Sequence, residues 1–480
     1  MDLDTLLNQP ESKTLEFKRD LSSLTPILKT IVAFANTAGG ILIIGRSAEG
    51  VISGIKDVFK SEETLANSIS DSIRPSILPE IEIATKEGKD LIIVKVPHWR
   101  APFYLKSEGI PNGVYIRLGS TSRPAGPELI AELQRSMIAL SFDQNPLPDL
   151  PKEALDLELA ADAFRNVGKK INEEKLRTLG ALTTAAHRVV PSIGGMILFG
   201  KKSEREKALL DTRIRCARFQ GDSKTIILDR LELEGPILDA IHEVPKFISR
   251  NTRLAAQING MRRKDVPEYP PVAIREALIN ALAHSDYSLK GSHIQIAIYS
   301  NRLEIQSPGM LPFGFTLEDL KAGVSRVRNR VIARVFHELE LMEEWGSGYK
   351  RILETCHEGG YSEPKWEELG NCIRVTFYPH PQTQLPRAST DDIIHTHRNL
   401  PPSNKKRPFR HKPELLEAEI ELLSLFKQSK CLPFREISKK TKSALSERMI
   451  HYYLAKLKKK GLLSSKGKGR ATVWQKKPQK

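Results

Sequence analysis

The apolar positions of this chain change period several times. Residues 24–37 carry apolar side chains at helical spacing, and residues 41–45, ILIIG, read as a short buried strand after a Gly-Gly turn. Strands are predicted at 91–96 (LIIVKV) and 113–117 (GVYIR), and a helix at 126–141. The segment 154–255 mixes helices with strands predicted at 195–199 and 213–219. The pattern then predicts a strong helix over 271–284, alternating strands at 292–299 and 302–306, helices at 316–322, 328–339 and 346–357, and a closing strand at 372–378. Near the end, ELLEAEIELLSLFKQ places Leu415, Ile420, Leu423 and Phe426 on one helical face. The segment LPFREISKKT predicts a short second helix. A third, ALSERMIHYYLAKLKKKG, starts at a Ser443 or Ser446 cap and stops at Gly461, and LLSSKGKGRATVWQ predicts a two-stranded hairpin.

Three breaks interrupt this pattern. Residues 381–413 are rich in Pro, polar and basic residues and read as a flexible linker. Three prolines mark 143–153, and 260–271, GMRRKDVPEYPP, reads as a separator between two helices. The fold class is therefore α/β multidomain. The expected organisation is 1–142, a middle α/β domain at 143–265, a module at 266–380, the linker at 381–413 and a last domain at 414–480.

Composition adds limits. A chain of 480 residues suggests about three domains of ~150 residues. Hydrophobic residues make up 40%, enough for ordinary cores, so a wholly disordered chain is excluded. No apolar run reaches the ~18 residues of a membrane span, and the N-terminus has acids where a signal peptide has Lys or Arg. The expectation is a cytoplasmic protein, nucleoid-associated in a prokaryote, with no membrane. Cys216, Cys356, Cys372 and Cys431 form no C-x-x-C pair, which excludes a zinc knuckle or disulfide framework. Of 74 Lys/Arg and 58 Asp/Glu, 24 and 8 fall in residues 381–480, which leaves 50 of each in the first 380. The whole cationic excess is thus local to the last fifth, and a local cationic module points to nucleic acid.

The string ESKTLEFKRD, followed by IVAFANTAGGILIIGRSAEGVISGI, VPHWRAPFYL and GVYIRLGSTSRPA, resembles the Schlafen-AlbA domain over residues 8–135. The residues agree in part: Gly39-Gly40 permits a turn into the strand, and Asn36 can cap backbone groups there. Lys18, Arg19, Arg100, Lys106, Arg117 and Arg123 offer phosphate contacts that position a nucleic acid without reading it. In relatives that cut RNA with a metal-assisted trio of acids, Glu11 and Glu16 match the first two. Where many relatives have the third, an Asp, this chain has Arg46, Ser47 and Ala48. Carboxylates are what hold hard cations, so the resemblance implies binding of nucleic acid rather than cutting.

The block PPVAIREALINALAHSDY, with LEIQSPGMLPFG, RVRNRVIARVF and EEWGSGYKRI, resembles the C-terminal module of RecG-related proteins and putative transcriptional regulators. That module is itself similar to the GHKL ATP-binding α/β sandwich. Glu276, Asn280 and His284 recur every four residues and share one helix face. The resemblance implies that Asn280 helps hold Mg on the phosphates of ATP and that Glu276 activates water in a weak ATPase. It also implies that His284, Gly309 and the loop Gly346, Ser347, Gly348 line the cofactor. Backbone N–H groups at such a helix start favour anions. The adenine-binding Asp of GHKL sites is replaced by the stretch Gln306-Ser307-Pro308-Gly309. Helicase activity is not expected: the nearest string to a P-loop, Gly195 to Lys202, misses the final Ser/Thr and reads as a buried strand.

Residues 414–480 read as a winged helix-turn-helix. Such a helix docks in the major groove of double-stranded DNA, and the wing meets the backbone. Ser446, Arg448, His451 and Tyr452 are the expected groove contacts, and Lys458, Lys459, Lys466, Lys468 and Arg470 the expected phosphate contacts. The combined expectation is a DNA-binding transcriptional regulator with a nucleotide-sensing core, acting as a homo-oligomer. The alternatives are a metal-dependent nuclease using Glu11 and Glu16, or an ATP-dependent defence or repair component.

Overall fold

A computed structural model of the chain describes residues 2–100, 102–208, 211–259, 262–343, 348–383, 422–426, 431–440, 447–459, 462–466 and 472–476. The chain divides into two compact units, Met1–Arg387 and Ala388–Lys480. Most of the expected linker 381–413 lies outside the described residues.

The first unit begins with a four-stranded sheet in the order Leu15–Lys18, Gly40–Ile44, Lys89–Val96, Glu80–Lys86. The first pair runs parallel, with Phe17 opposite Ile43, and the others antiparallel. The helix Leu24–Asn36 packs its apolar face on this sheet through Ile27, Ile31 and Phe34. At the turn that follows, Gly39 takes a φ of 75°, and a side chain there would meet the Val96 carbonyl oxygen at 2.8 Å. Asn36 is fully buried and serves neighbouring backbone: it donates to the carbonyls of Phe103 and Tyr115, each at 2.9 Å, and accepts from the Phe103 N–H at 2.8 Å. It therefore ties the helix to the two later segments rather than capping its own turn.

The second sheet has six strands in the order Ile227–Leu233, Ile214–Phe219, Ile294–Ile298, Leu303–Pro308, Cys372–Phe377, Lys365–Glu368. Its first two strands come from the segment 143–265 and the rest from 266–380. Ile214–Phe219 runs parallel to Ile294–Ile298, with Cys216 opposite Ile296. One core, including Phe199, Phe247, Leu278, Ile296 and Phe336, spans both segments. The expected division near residue 265 thus falls inside a shared sheet and a shared core.

Two local expectations are corrected. Residues 195–199 are not a strand but part of the helix Ile193–Phe199. Ser192 caps it by accepting from the Gly195 N–H at 3.0 Å. A fully buried apolar run of this length does not distinguish strand from helix by period. Residues 260–271 do lie between two helices, Asp239–Arg250 and Pro271–His284, but not as a break: Arg262–Pro267 pairs with Leu254–Asn259 in a hairpin.

The AlbA-like part and the larger core join within this unit. Val114, Ile116, Ile130 and Leu133 share an apolar cluster with Met310 and Phe313. Lys13 pairs with Glu368 at 2.9 Å. Arg328, nearly buried, pairs with Glu132 at 2.7 Å and Asp286 at 3.2 Å.

The second unit is described in pieces. A strand Cys431–Pro433 leads into the helix Phe434–Lys440, followed by the helix Glu447–Lys459 and the hairpin Leu463–Lys466 with Val473–Lys476. The three strands form an antiparallel sheet in the order Cys431–Pro433, Val473–Lys476, Leu463–Lys466. Leu422, Phe426, Ile437, Leu454 and Trp474 form its core. Of the first expected helix, only 422–426 falls among the described residues.

Candidate nucleotide-binding site

The helix Pro271–His284 starts with proline at its first position, where no N–H is missed. Its far end is fixed by Asn329, which donates to the carbonyls of Ala283 at 3.0 Å and Ser285 at 2.7 Å. This helix presents Glu276, Asn280 and His284 to a single cleft. Opposite walls come from the sheet, with Ile305, Ile373 and Val375, and from Met310, Leu311 and Phe315. The helix Gly348–Glu358 closes the polar end. A side chain at Gly348 would collide with the Glu276 carboxylate and stand 3.2 Å from the Asn280 amide, so glycine is what lets this backbone approach both.

Glu276 is only 5% exposed. Burial pushes its carboxyl up from the usual range, and the Arg351 charge, 3.5 Å away, acts in the opposite direction. Arg351 also pairs with Glu343. His284 borders the cleft, and burial together with the Arg328 charge pushes its imidazole down to about 4. It is therefore neutral at pH 7 and acts as a hydrogen-bonding group, not a cation.

The cleft encloses about 140 Å³, less than the ~300–1,000 Å³ of a pocket for a drug-sized ligand. One end is apolar and the other polar, which suits a base on the sheet side and phosphates toward Asn280. Ser307 stands on the wall where an adenine-binding acid is expected. Gly309 does not line the cleft: it takes a φ of 100° and packs closely on Asp286. Gly346 and Ser347 lie outside the described residues. No group of three or more His, Cys, Asp or Glu able to hold a metal occurs among the described residues. Asn280 would be the chain's ligand to a Mg²⁺ held mainly by phosphate oxygens.

In the first sheet, Glu11 and Glu16 are engaged structurally. Glu11 accepts from the Phe17 N–H at 3.1 Å. Glu16 pairs with Lys18 and, at 2.7 Å, with Arg117. Where a third acid is expected, Arg46 lies 3.7 Å over the Phe17 ring. Arg117 is corrected as a phosphate contact: it is 1% exposed and donates to the Ser12 carbonyl at 2.7 Å. Tyr115, Ile116 and Arg117 are buried in succession, so no alternation along the strand marked the arginine as buried, and nothing in the sequence marked its partner Glu16.

In the second unit, His451 stacks on Phe434 with centroids 3.7 Å apart, whereas Tyr452 is exposed on the same helix. Lys458 donates to the Ser465 hydroxyl at 2.7 Å, and Lys466 is exposed on the hairpin. Ser446, Lys468 and Arg470 lie outside the described residues, as do the side chains of Arg448 and Lys459.

Sequence reasoning missed Arg326, Arg328 and Arg351. Arg326 lines the cleft near Ser325. The run RVRNRVIARVF contains the first two, and its density of arginines before an apolar helix was the available signal.

Comparison with known families gives two matches. Residues 11–126 match the family described as "Schlafen, AlbA_2". Residues 291–377 match the family described as "Putative ATP-dependent DNA helicase recG C-terminal". No curated protein matches the chain. Similar solved structures include the DIP2311 protein from Corynebacterium diphtheriae, at 20% identity over 97% of this chain and 92% of that one, with a TM-score of 0.43. They also include the N-terminal domain of a putative ATP-dependent DNA helicase RecG-related protein from Nitrosomonas europaea. It is 30% identical over 26% of this chain and 90% of that one, with a TM-score of 0.21. Asn36 and the Gly39 turn lie in the first matched stretch, and the Leu303–Pro308 and Cys372–Phe377 strands in the second; the chain is thus similar to the Schlafen AlbA_2 family over residues 11–126 and to the recG C-terminal family over residues 291–377.

Proposed function

We propose that this protein is a nucleotide-responsive, DNA-binding transcriptional regulator. The observation that carries the reading is the cleft of Glu276, Asn280 and Gly348 under an apolar sheet wall, in a chain whose family matches associate an ATPase-like module with an AlbA domain. ATP is the ligand proposed for the cleft. ATP hydrolysis is slow or absent on this reading, because Glu276 is occupied by Arg351. The nuclease reading is disfavoured by the pairing of Glu16 with Arg117 and by the cation at Arg46.

The second unit is read as a winged helix on its order of elements: helix, strand, helix, helix and hairpin. Lys466 on the exposed hairpin is the clearest phosphate contact among the described residues. Binding of the full chain to duplex DNA is expected to weaken steeply with salt, because lysines displace counterions from phosphates. Lys466→Ala should lower affinity for all sequences alike and reduce the slope of log K against log salt by about 1. A gel-shift series at several salt concentrations reads both; salt-independent binding contradicts the assignment.

A ligand alters DNA affinity only by binding two states differently. Through a long polar linker, the effective route is assembly, since two linked DNA-binding units gain by effective concentration. The protein is therefore proposed to form a dimer or higher assembly through residues 1–380. Light scattering and a DNA shift assay, each with and without ATP and Mg²⁺, test this. A monomer with ATP-indifferent DNA binding under all conditions refutes it.

A further inference from the structure

A second cleft lies beside the first, where the AlbA domain meets the larger core. It encloses about 150 Å³, and His98, Arg100 and Arg135 come to it from the AlbA side, Arg326, Arg328 and Arg330 from the core. Two carboxylates, Glu132 and Asp286, share the wall, but both are committed to Arg328. Arg330 donates to the Ala139 carbonyl at 2.8 Å, and Arg326 to that of Phe313. No hydrogen bond or ion pair occupies the guanidinium of Arg100 or Arg135 among the described residues; Arg135 is laid against the Phe142 ring, 5.3 Å away, and feels the Glu132 and Asp286 charges without pairing to them.

The cations repel one another here. Burial lowers the basicity of Arg326, and the Arg100 charge lowers it further. Burial also lowers His98, with Arg326 and Arg100 adding to the effect. His98 Nδ1 lies 3.0 Å from the Ala35 carbonyl, which assigns the proton to Nδ1 when the ring is neutral. The cations here, of which Arg135 and Arg326 are partly buried, outnumber the carboxylates Glu132 and Asp286, and a bound anion would offset the excess. Arginine forks match the oxygens of a phosphoryl group bidentately. The enclosed space is that of a cavity admitting one benzene-sized molecule, which suits a phosphoryl group.

We propose that this interdomain cleft is a phosphate-binding site separate from the nucleotide cleft, with Arg100, Arg135 and Arg326 as its ligands. Because Arg326 borders both clefts, the site stands next to the nucleotide. The phosphoryl group belongs either to a nucleic-acid backbone lying along the AlbA domain or to a free phosphate or pyrophosphate. The site does not depend on the nucleotide reading.

The test is calorimetric titration of the full chain with pyrophosphate and, separately, with a short single-stranded oligodeoxynucleotide. Wild type, Arg100→Ala/Arg135→Gln and Asn280→Ala are compared, with unfolding curves confirming that the variants are folded. Each arginine contributes a hydrogen bond to a charged group, so the double variant should bind about a hundredfold more weakly. Asn280→Ala should leave binding unchanged. Saturable binding of either probe with this pattern supports the site, and which probe shows it identifies the source. Binding of neither probe, binding that survives the double change, or binding abolished by Asn280→Ala overturns it.

Discussion

Arg328→Met is expected to destabilise the first unit by about 3–5 kcal/mol, the cost typical of breaking a buried ion pair by removing one partner. Arg328 has 8% of its side chain exposed, and its partners Glu132 and Asp286 have 19% and 5%. Without the guanidinium, two carboxylates face each other across the junction of the AlbA domain and the core. Burial already raises the Glu132 carboxyl, with Arg328 opposing that shift. A raised folded-state value means that the folded protein holds the proton more tightly than the unfolded chain, so this carboxyl favours folding at low pH and loses that contribution as pH rises through its folded value. Removing Arg328 raises Glu132 further. The penalty should therefore be largest at neutral pH and shrink on acidification toward the carboxylate range. Denaturant unfolding of wild type and variant at two pH values measures it; a deficit independent of pH, or one below about 1 kcal/mol, contradicts the role given to this network.

Gly195→Ala should be comparably damaging although it adds only one methyl group. A side chain at this position would stand 2.8 Å from the carbonyl carbon of Ala181 and closer still to its oxygen, with the Ala181 Cα at 3.0 Å. All three are backbone atoms, fixed because the Ala181 carbonyl accepts from the Ser192 N–H at 3.0 Å. Overpacking of a well-packed core ordinarily costs about 1–3 kcal/mol. With no flexible side chain to yield here, the upper end or loss of soluble protein is expected. The measurement is thermal unfolding alongside Gly221→Ala as control, since a side chain there meets nothing within 4 Å, although its φ of 74° carries a small strain of its own. Equal effects at the two positions would contradict the packing argument. The same contact explains why this glycine-containing string is no phosphate cradle: its glycines serve helix packing.

Much of this architecture was legible in the chain. The helix over 271–284 and the strands around it follow from period, and the three residues spaced by four on that helix do share one cleft. What was not legible has identifiable causes. The helix at 193–199 is apolar on all sides, so no face distinguishes it from a strand. The hairpin 254–267 carries charges and a polar sequence, RRKDVP, that resembles a loop. The single sheet spanning both core segments depends on pairing between residues some 80 positions apart, Cys216 with Ile296, which no local pattern encodes. The arginines of the interdomain cleft come from three separate stretches of chain and converge only when the AlbA domain docks.

On the proposed function, the cleft under the Pro271–His284 helix binds a nucleotide. Titrating the full chain with ATP, with and without Mg²⁺, against the Asn280→Ala variant is its most direct calorimetric test. The expected result is saturable binding to the wild type, strengthened by Mg²⁺ and weakened at least about tenfold by Asn280→Ala, the loss of one hydrogen bond to a charged group. No saturable binding by the wild type, or equal binding by the variant, would contradict it.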